Sequence, residues 1–245
     1  MIVEYDGTEF SGWQTQAEGL RTIQSHLEEK LARIFKTKVH CQASGRTDRG
    51  VHAQGQVVHF KIETPIKPAL IHTALNAFLD KDITIVDVEE VPLDFNAQKS
   101  AKVKTYRYTI LNRPSPSALW RNRAYFYPSA LNLNLMRKAA RHFKGKHDFK
   151  SLQSASERST IKNTVRTIKR LTIIKEDDLI HITITADGFL YRMARNIVSL
   201  LIAAGSSKIS ADAIPALLKT KTRPVDLMSA PSHGLCLMSV QYECR

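Results

Sequence analysis

Apolar and polar positions follow two different periods along the first hundred residues. Four segments have the short period and the composition of strands: Met1–Tyr5, Val39–Ala43, Gln56–Ile62 and Asp82–Val91. After Thr22, and again after Pro68, apolar residues recur every three to four positions, which predicts two helices that begin at residues suited to a helix N-terminus. In the second helix this spacing predicts that Leu70, Ala74 and Phe78 face inward. The predicted element order is therefore β-α-β-β-α-β.

The second half of the chain repeats this order. Strands are predicted at Val103–Leu111, Val165–Ile174, Leu179–Ala186 and Leu235–Tyr242, and helices at Leu133–Phe143, Phe189–Ala204 and Ala211–Leu218. Two successive β-α-β-β-α-β units are typical of ferredoxin-like halves. We therefore predict an α+β protein with mainly antiparallel sheets joined around a central cleft. The expected domains are residues 1–100 and residues 101–245.

Composition narrows the class of protein further. At 245 residues with 43% hydrophobic residues, the chain is long enough to bury a substantial core. Cys41, Cys236 and Cys244 form no Cys-x-x-Cys motif, which argues against a disulfide framework or a zinc site. The longest apolar stretch, Ile197–Ala204, is far shorter than the roughly 20 residues that cross a bilayer. We expect a soluble cytoplasmic protein without a metal.

Charge divides unevenly between the two predicted domains. Residues 1–100 hold 11 Lys and Arg against 14 Asp and Glu, whereas residues 101–245 hold 25 against 9. Between Lys102 and Arg170, 17 basic residues stand against only Asp148 and Glu157, and aromatic residues are interleaved with them. A basic stripe with aromatic rings favours a nucleic-acid partner over an ordinary solvated basic face. We call residues 102–170 the basic stripe.

One loop carries the most specific chemistry in the chain. Asp48 lies between Arg46 and Arg49, and Gly45 and Gly50 flank the three charges. Glycines allow sharp turns and the close approach of a partner, and valine-rich segments on both sides predict that the loop joins two strands. A carboxylate beside fixed cations is expected to stay ionised, as a nucleophile, a base or an electrostatic stabiliser. These three charges alone are equally compatible with an ordinary surface turn.

The loop and its surroundings resemble the TruA family of tRNA pseudouridine synthases. The sequence Gly45–Ala53 is similar to the catalytic motif of that family. Further similar segments follow in order along the chain: Glu4–Thr8, Gly12–Gln14, Gln54–Phe60, Lys104–Tyr108, His147–Phe149, Phe189–Asn196 and Ala230–Leu235. Several ordered motifs are far more specific than any single motif. Gln98, Arg192 and Ser199 depart from the residues that are usual in the family, which leaves details of RNA contact and helix packing open.

The resemblance implies a fold, an activity and partners. It implies a pseudouridine synthase fold and an isomerase that converts uridine to pseudouridine in the tRNA anticodon stem-loop, around positions 38 to 40. The net reaction needs no cofactor. It also implies a homodimer that binds tRNA, for which the basic stripe is the natural surface.

The resemblance also implies roles for four residues. Asp48 is the essential carboxylate, which either attacks the sugar C1′ or removes a sugar proton to form a glycal. Tyr106 is expected to lie against the flipped uracil. The alternative is that it is an ordinary core tyrosine of its strand, which is a common role. By the resemblance, Arg195 pairs with Asp48 and keeps it ionised. Independently, a bare arginine on so apolar a helix is costly, which favours some carboxylate partner. Arg46 fills the gap left by the flipped base, or alternatively clamps a phosphate.

Two rival functions are weaker. A non-catalytic RNA-binding module with ferredoxin-like sheets would stack bases on a characteristic Gly- and aromatic-rich strand motif, which this chain lacks. A base deaminase would need a His/Cys zinc signature, which is also missing. His52 and His59 are interpreted as structural residues, not as acid–base groups.

Overall fold

A computed structural model describes residues 1–16, 19–154, 163–222, 224 and 226–243. The chain divides into two compact units, Val103–Leu235 and Met1–Lys102 with the C-terminal stretch from Cys236. Cys244 and Glu157, which enter the cysteine and charge arguments, lie outside the described residues. Helices and largely antiparallel strands occur in both units, which confirms the predicted α+β class. Within the described ranges, no helix has the length and apolar character needed to cross a membrane.

The first unit contains the predicted strands and helices of the first half. Its elements are β1 (Ile2–Tyr5), α1 (Ile23–Phe35), β2 (Gln42–Ala43), β3 (His52–His59), α2 (Pro68–Phe78) and β4 (Ile83–Asp87). Strand β1 pairs antiparallel with both β3 and β4, and β2 pairs antiparallel with β3. Strand β1 therefore lies between β4 and β3, and β2 pairs with the end of β3, which fits the predicted β-α-β-β-α-β unit.

The helices of this unit begin where the sequence predicts, but one of them buries a different face. The Thr22 hydroxyl caps α1 by accepting a hydrogen bond from the Ser25 N–H at 3.2 Å. In α2, Ile71 and Leu75 are buried, whereas Leu70 and Phe78 are 61% and 43% exposed. The predicted inward face of α2 was therefore wrong by one position.

The second unit contains more elements than the sequence predicts. They are β5 (Val103–Leu111), β6 (Tyr125–Phe126), α3 (Leu133–Arg141), β7 (Gly145–Asp148), β8 (Val165–Glu176), β9 (Leu179–Ala186), α4 (Met193–Gly205) and α5 (Ile214–Thr220). The sheet order is β5-β9-β8-β7 with antiparallel pairs, and β6 adds to β5 in parallel. Helix α4 begins four residues later than predicted, because Arg192 takes a left-handed conformation with φ of 58°.

The last strand corrects the predicted domain assignment. Strand β10 (Leu235–Gln241) pairs in parallel with β3, with Cys236 opposite His52 and Leu237 opposite Ala53. The sequence analysis assigns this strand to residues 101–245, but the stretch from Cys236 belongs to the first unit. Close contact explains the pairing: a Cβ on Gly55 would lie 2.6 Å from the Met238 carbonyl oxygen, so only glycine lets β3 approach β10 this closely.

Candidate active site

The Asp48 loop connects β2 to β3 in the first unit. Ala43 pairs with Val58 at the base of this hairpin, and residues 44–51 form the connection. The Val51 N–H donates to the Asp48 carbonyl oxygen at 3.1 Å, and Gly50 has a positive φ of 75°. The prediction that this loop joins two strands is confirmed.

A network of buried polar side chains from β1, β3 and the loop itself supports the Asp48 loop. The Tyr5 hydroxyl lies 2.8 Å from the Thr47 hydroxyl, and the Gln56 side-chain amide donates to the Gly45 carbonyl oxygen at 2.8 Å. The Gln56 amide also donates to the Tyr5 hydroxyl at 3.4 Å, and its carbonyl accepts from the Ser44 hydroxyl at 2.7 Å. Tyr5, Ser44, Thr47 and Gln56 are each buried. We call these four side chains, with the Gly45 carbonyl, the loop-support network.

The segment after β1 braces the loop from another direction. The Trp13 N–H donates to the Thr47 carbonyl oxygen at 3.0 Å. A Cβ on Gly12, which has φ of 96°, would lie 2.9 Å from that same oxygen, and a Cβ on Gly7 would lie 2.1 Å from the Val51 carbonyl oxygen. The glycines of this segment therefore allow two stretches of backbone to lie against each other.

The loop exposes its two arginines and buries Thr47. Arg46 and Arg49 are exposed and Asp48 is half-buried, whereas Thr47 is only 7% exposed. The loop is thus anchored at Thr47 and presents Asp48 together with Arg46. A loop held by backbone and buried side chains can present a carboxylate with little reorganisation.

The two histidines near the loop bind backbone groups. His52 Nδ1 accepts a hydrogen bond from the Gly7 N–H at 3.1 Å and lies 3.2 Å from the Asp6 carboxylate. His59 Nδ1 accepts from the Ala97 N–H at 3.2 Å, and burial lowers the pKa of His59. These contacts agree with the structural interpretation of both residues.

Tyr106 lies in the second unit, on β5. It pairs with Ile184 of β9 and is 8% exposed. Its ring meets the Phe189 ring edge-on, with centroids 4.9 Å apart. Phe189 opens the family-like segment Phe189–Asn196, so this contact joins two of the segments that carry the resemblance.

Arg195 lies in the first turn of α4, also in the second unit. Its side-chain Nε donates to the Ala230 carbonyl oxygen at 2.7 Å, and the Ala230 N–H donates to the Arg195 carbonyl oxygen at 3.3 Å. The guanidinium is therefore oriented by the segment that begins the last family-like motif. The pairing of Arg195 with Asp48 remains a prediction.

Asn196 ends the family-like segment Phe189–Asn196, but the sequence analysis gives it no role of its own. It is fully buried, and its amide donates to the Leu152 carbonyl oxygen at 2.7 Å and to the Ser154 hydroxyl at 3.4 Å. The Ser229 hydroxyl donates to the Asn196 side-chain oxygen at 2.6 Å. One amide therefore ties two loop segments to the turn that carries Arg195. A signal was available, because Asn196 is polar within an otherwise apolar helix.

Burial changes the acid–base behaviour of several groups around these motifs. It raises the pKa of Tyr5 to about 12 and raises that of Tyr108 further, so both hydroxyls stay neutral. The Tyr108 hydroxyl donates to the Pro231 carbonyl oxygen at 2.8 Å. Burial, followed by repulsion from Arg166, lowers the pKa of Lys104 to about 8.

Two α+β units, one of which carries an arginine-flanked carboxylate on a braced loop, agree with the class that the sequence motifs indicate. The profile of a family described as tRNA pseudouridine synthase matches residues 1–98 and 139–243. The chain is 42% identical to tRNA pseudouridine synthase A of Caldicellulosiruptor bescii over 99% of this chain and 98% of that protein. It is equally similar, over the same shares, to tRNA pseudouridine synthase A 2 of Clostridium perfringens. Identity to tRNA pseudouridine synthase A of Acetivibrio thermocellus is 40%, again over 99% and 98%.

The chain therefore belongs to the tRNA pseudouridine synthase family, the isomerases that convert uridine in tRNA to pseudouridine.

Proposed function

We propose that this chain acts on uridines of the tRNA anticodon stem-loop, around positions 38 to 40, with Asp48 as the essential carboxylate. The braced loop that presents Asp48 beside exposed Arg46 is the observation that carries the proposal. The family match supports the reaction type, since it covers the loop. The enzyme works in the cytoplasm, where tRNA is the partner.

The reaction rearranges bonds without an external reagent. The bond between C1′ and N1 of the uridine breaks, the base turns, and a bond forms between C1′ and C5. N1 gains a hydrogen, and the hydrogen on C5 is released to water. Asp48 either attacks C1′, as a retaining glycosidase nucleophile does, or removes a sugar proton to give a glycal.

Three further residues would act on the flipped nucleotide. Turning the base requires it to leave the stack, which costs a few kcal/mol. Tyr106, whose ring is fixed edge-on against Phe189, provides a face for the uracil. Arg46 is exposed, as the residue that fills the vacated stack must be. Arg195, oriented by Ala230, is the proposed cation for Asp48.

The second unit offers a surface for the RNA backbone. Exposed basic residues are spread over its strands, helix α3 and connecting loops: Arg107, Arg121, Arg123, Arg137, Lys138, Arg141, Lys144, Lys146, Lys150, Lys169 and Arg170. Lys138 pairs with Asp212, but acidic partners are few in the described part of the basic stripe. Phosphates bind to such a surface without base specificity. The substrate tRNA would be held here by a homodimer, whose mass light scattering can measure.

A tritium-release assay tests the reaction. Unmodified tRNA carrying tritium at uracil C5 should release it to water when the protein is added, because isomerisation expels that hydrogen. Mapping the product should then locate pseudouridine at positions 38 to 40. Binding of the tRNA without release would favour the non-catalytic RNA-binding alternative, and release from other positions would refute the proposed stem-loop specificity.

A further inference from the structure

We infer that Tyr5 and Thr47 are positioning residues for catalysis, and that the hydrogen bond between their hydroxyls holds the Asp48 loop in its working geometry. The inference rests on the proposed role of Asp48. It adds two residues that never need to touch the substrate.

Hydrogen bonds link the four side chains of the loop-support network one after another. The Gln56 amide nitrogen has two hydrogens, which it donates to the Gly45 carbonyl oxygen at 2.8 Å and to the Tyr5 hydroxyl oxygen at 3.4 Å. Because the Tyr5 oxygen accepts from Gln56, its own hydrogen is available for the Thr47 hydroxyl, 2.8 Å away. The Ser44 hydroxyl donates to the remaining Gln56 oxygen at 2.7 Å. The network therefore runs from Ser44 through Gln56 and Tyr5 to Thr47.

These hydrogen bonds fix both ends of the segment that contains Arg46. The Gly45 carbonyl is held by Gln56 on one side of Arg46, and the Thr47 side chain is held by Tyr5 on the other. Asp48 is the next residue along the chain. Strands β1 and β3, which supply Tyr5 and Gln56, are paired in the sheet, so the supports are themselves rigid. A shift of about 1 Å in a reacting group can cost on the order of a hundredfold in rate.

Tyr5→Phe removes a single hydroxyl and tests this role. We expect kcat for tritium release to fall by roughly 10- to 100-fold, with KM for tRNA changed by no more than about twofold, because no RNA contact is lost. The matched control is Tyr242→Phe, which removes a half-buried hydroxyl of the first unit, bonded to the Ala97 carbonyl oxygen at 2.8 Å. The control should lose comparable thermal stability but keep its kcat. Equal kcat values in the two variants would overturn the inference.

Substitutions at Thr47 give an independent test of the same bond. Thr47→Val keeps the shape and loses the hydroxyl, so it should reproduce the fall in kcat of Tyr5→Phe, whereas Thr47→Ser should recover most of the activity. The double variant with Tyr5→Phe and Thr47→Val should be no slower than the slower of the two single variants, because each single variant already removes the same hydrogen bond. Additive losses would contradict a shared bond. Asp48→Asn in the same assay tests the proposed function separately: if it remains active, that proposal fails even where the Tyr5 result stands.

Discussion

Gly12 illustrates at the scale of one residue how the Asp48 loop is built. Its φ of 96° favours glycine, and a Cβ there would lie 2.9 Å from the Thr47 carbonyl oxygen. Gly19 has a similar φ of 85°, but a Cβ there would meet none of the described residues within 4 Å. Substitutions at these two positions can therefore distinguish the effect of backbone strain, which both would cause, from the effect of crowding the loop, which only a substitution at Gly12 would cause.

We expect Gly12→Ala to lower both stability and activity. Both Gly12→Ala and Gly19→Ala incur roughly 1–2 kcal/mol of left-handed strain, but only Gly12→Ala pushes against the backbone next to Asp48. In thermal unfolding, Gly19→Ala should therefore lose only the stability that this strain costs, and in the tritium-release assay it should keep full activity. Gly12→Ala should lose more stability and also turn over more slowly. Identical behaviour of the two variants would contradict the bracing of the loop.

Lys104 makes folding stability depend on pH. Its folded pKa is about 8, whereas an unfolded lysine titrates near about 10.4. Between these values the unfolded chain binds more protons, so the contribution of Lys104 to stability rises with pH. Urea unfolding from pH 7 to pH 10 should show wild type gaining stability relative to Lys104→Met. A difference that does not change over this range would contradict the burial of Lys104.

At this scale the sequence predicts the charged residues of the loop and misses what supports them. Arg46 and Asp48 are visible as a motif, because charge and glycine spacing are local properties. The contact between Tyr5 and Thr47 joins residues 42 positions apart. Nothing in either local segment indicates that pairing, since it depends on how β1 and β3 align.

At the scale of elements, the buried side-chain amide of Asn196 anchors helix α4 to its neighbouring segments. Asn196→Ala should lower the free energy of unfolding by about 1–3 kcal/mol, because buried carbonyl and hydroxyl groups lose their partner. Ser199→Ala, on the same helix at a half-buried position, should change it by no more than about 0.5 kcal/mol. Chemical denaturation measures both. Equal effects would show that Asn196 does not anchor the helix.

Element prediction succeeds where an end signal is local and fails where pairing is distant. Thr22 and Pro68 mark helix starts as predicted, and α3 begins at Leu133 as predicted. Strands β6 and β7 were not predicted; β7, Gly-Lys-His-Asp, has no apolar side chain to alternate with its polar ones. Strand β10 was recognised, but its pairing with β3 has no signature in its own sequence.

The division of charge sets a prediction at the scale of the whole molecule. If about six phosphates are neutralised, log K for tRNA should fall with log salt with a slope near −4. Arg121→Gln and Arg123→Gln, which remove exposed charges, should together reduce this slope by roughly 1.4. Lys38→Gln, in the less basic first half, is the matched control and should leave it unchanged. Filter binding across salt concentrations measures these slopes, and a flat response in wild type would contradict the RNA surface.

The most direct test of the account is tritium release by Asp48→Asn. We expect turnover to fall by about a thousandfold or more, while tRNA binding and thermal stability stay near those of wild type. Asp177→Asn is the control, because Asp177 is exposed in a hairpin turn at φ of 51°, a conformation that asparagine accepts. Loss in Asp48→Asn alone would identify the essential carboxylate. Undiminished release by that variant would contradict the account.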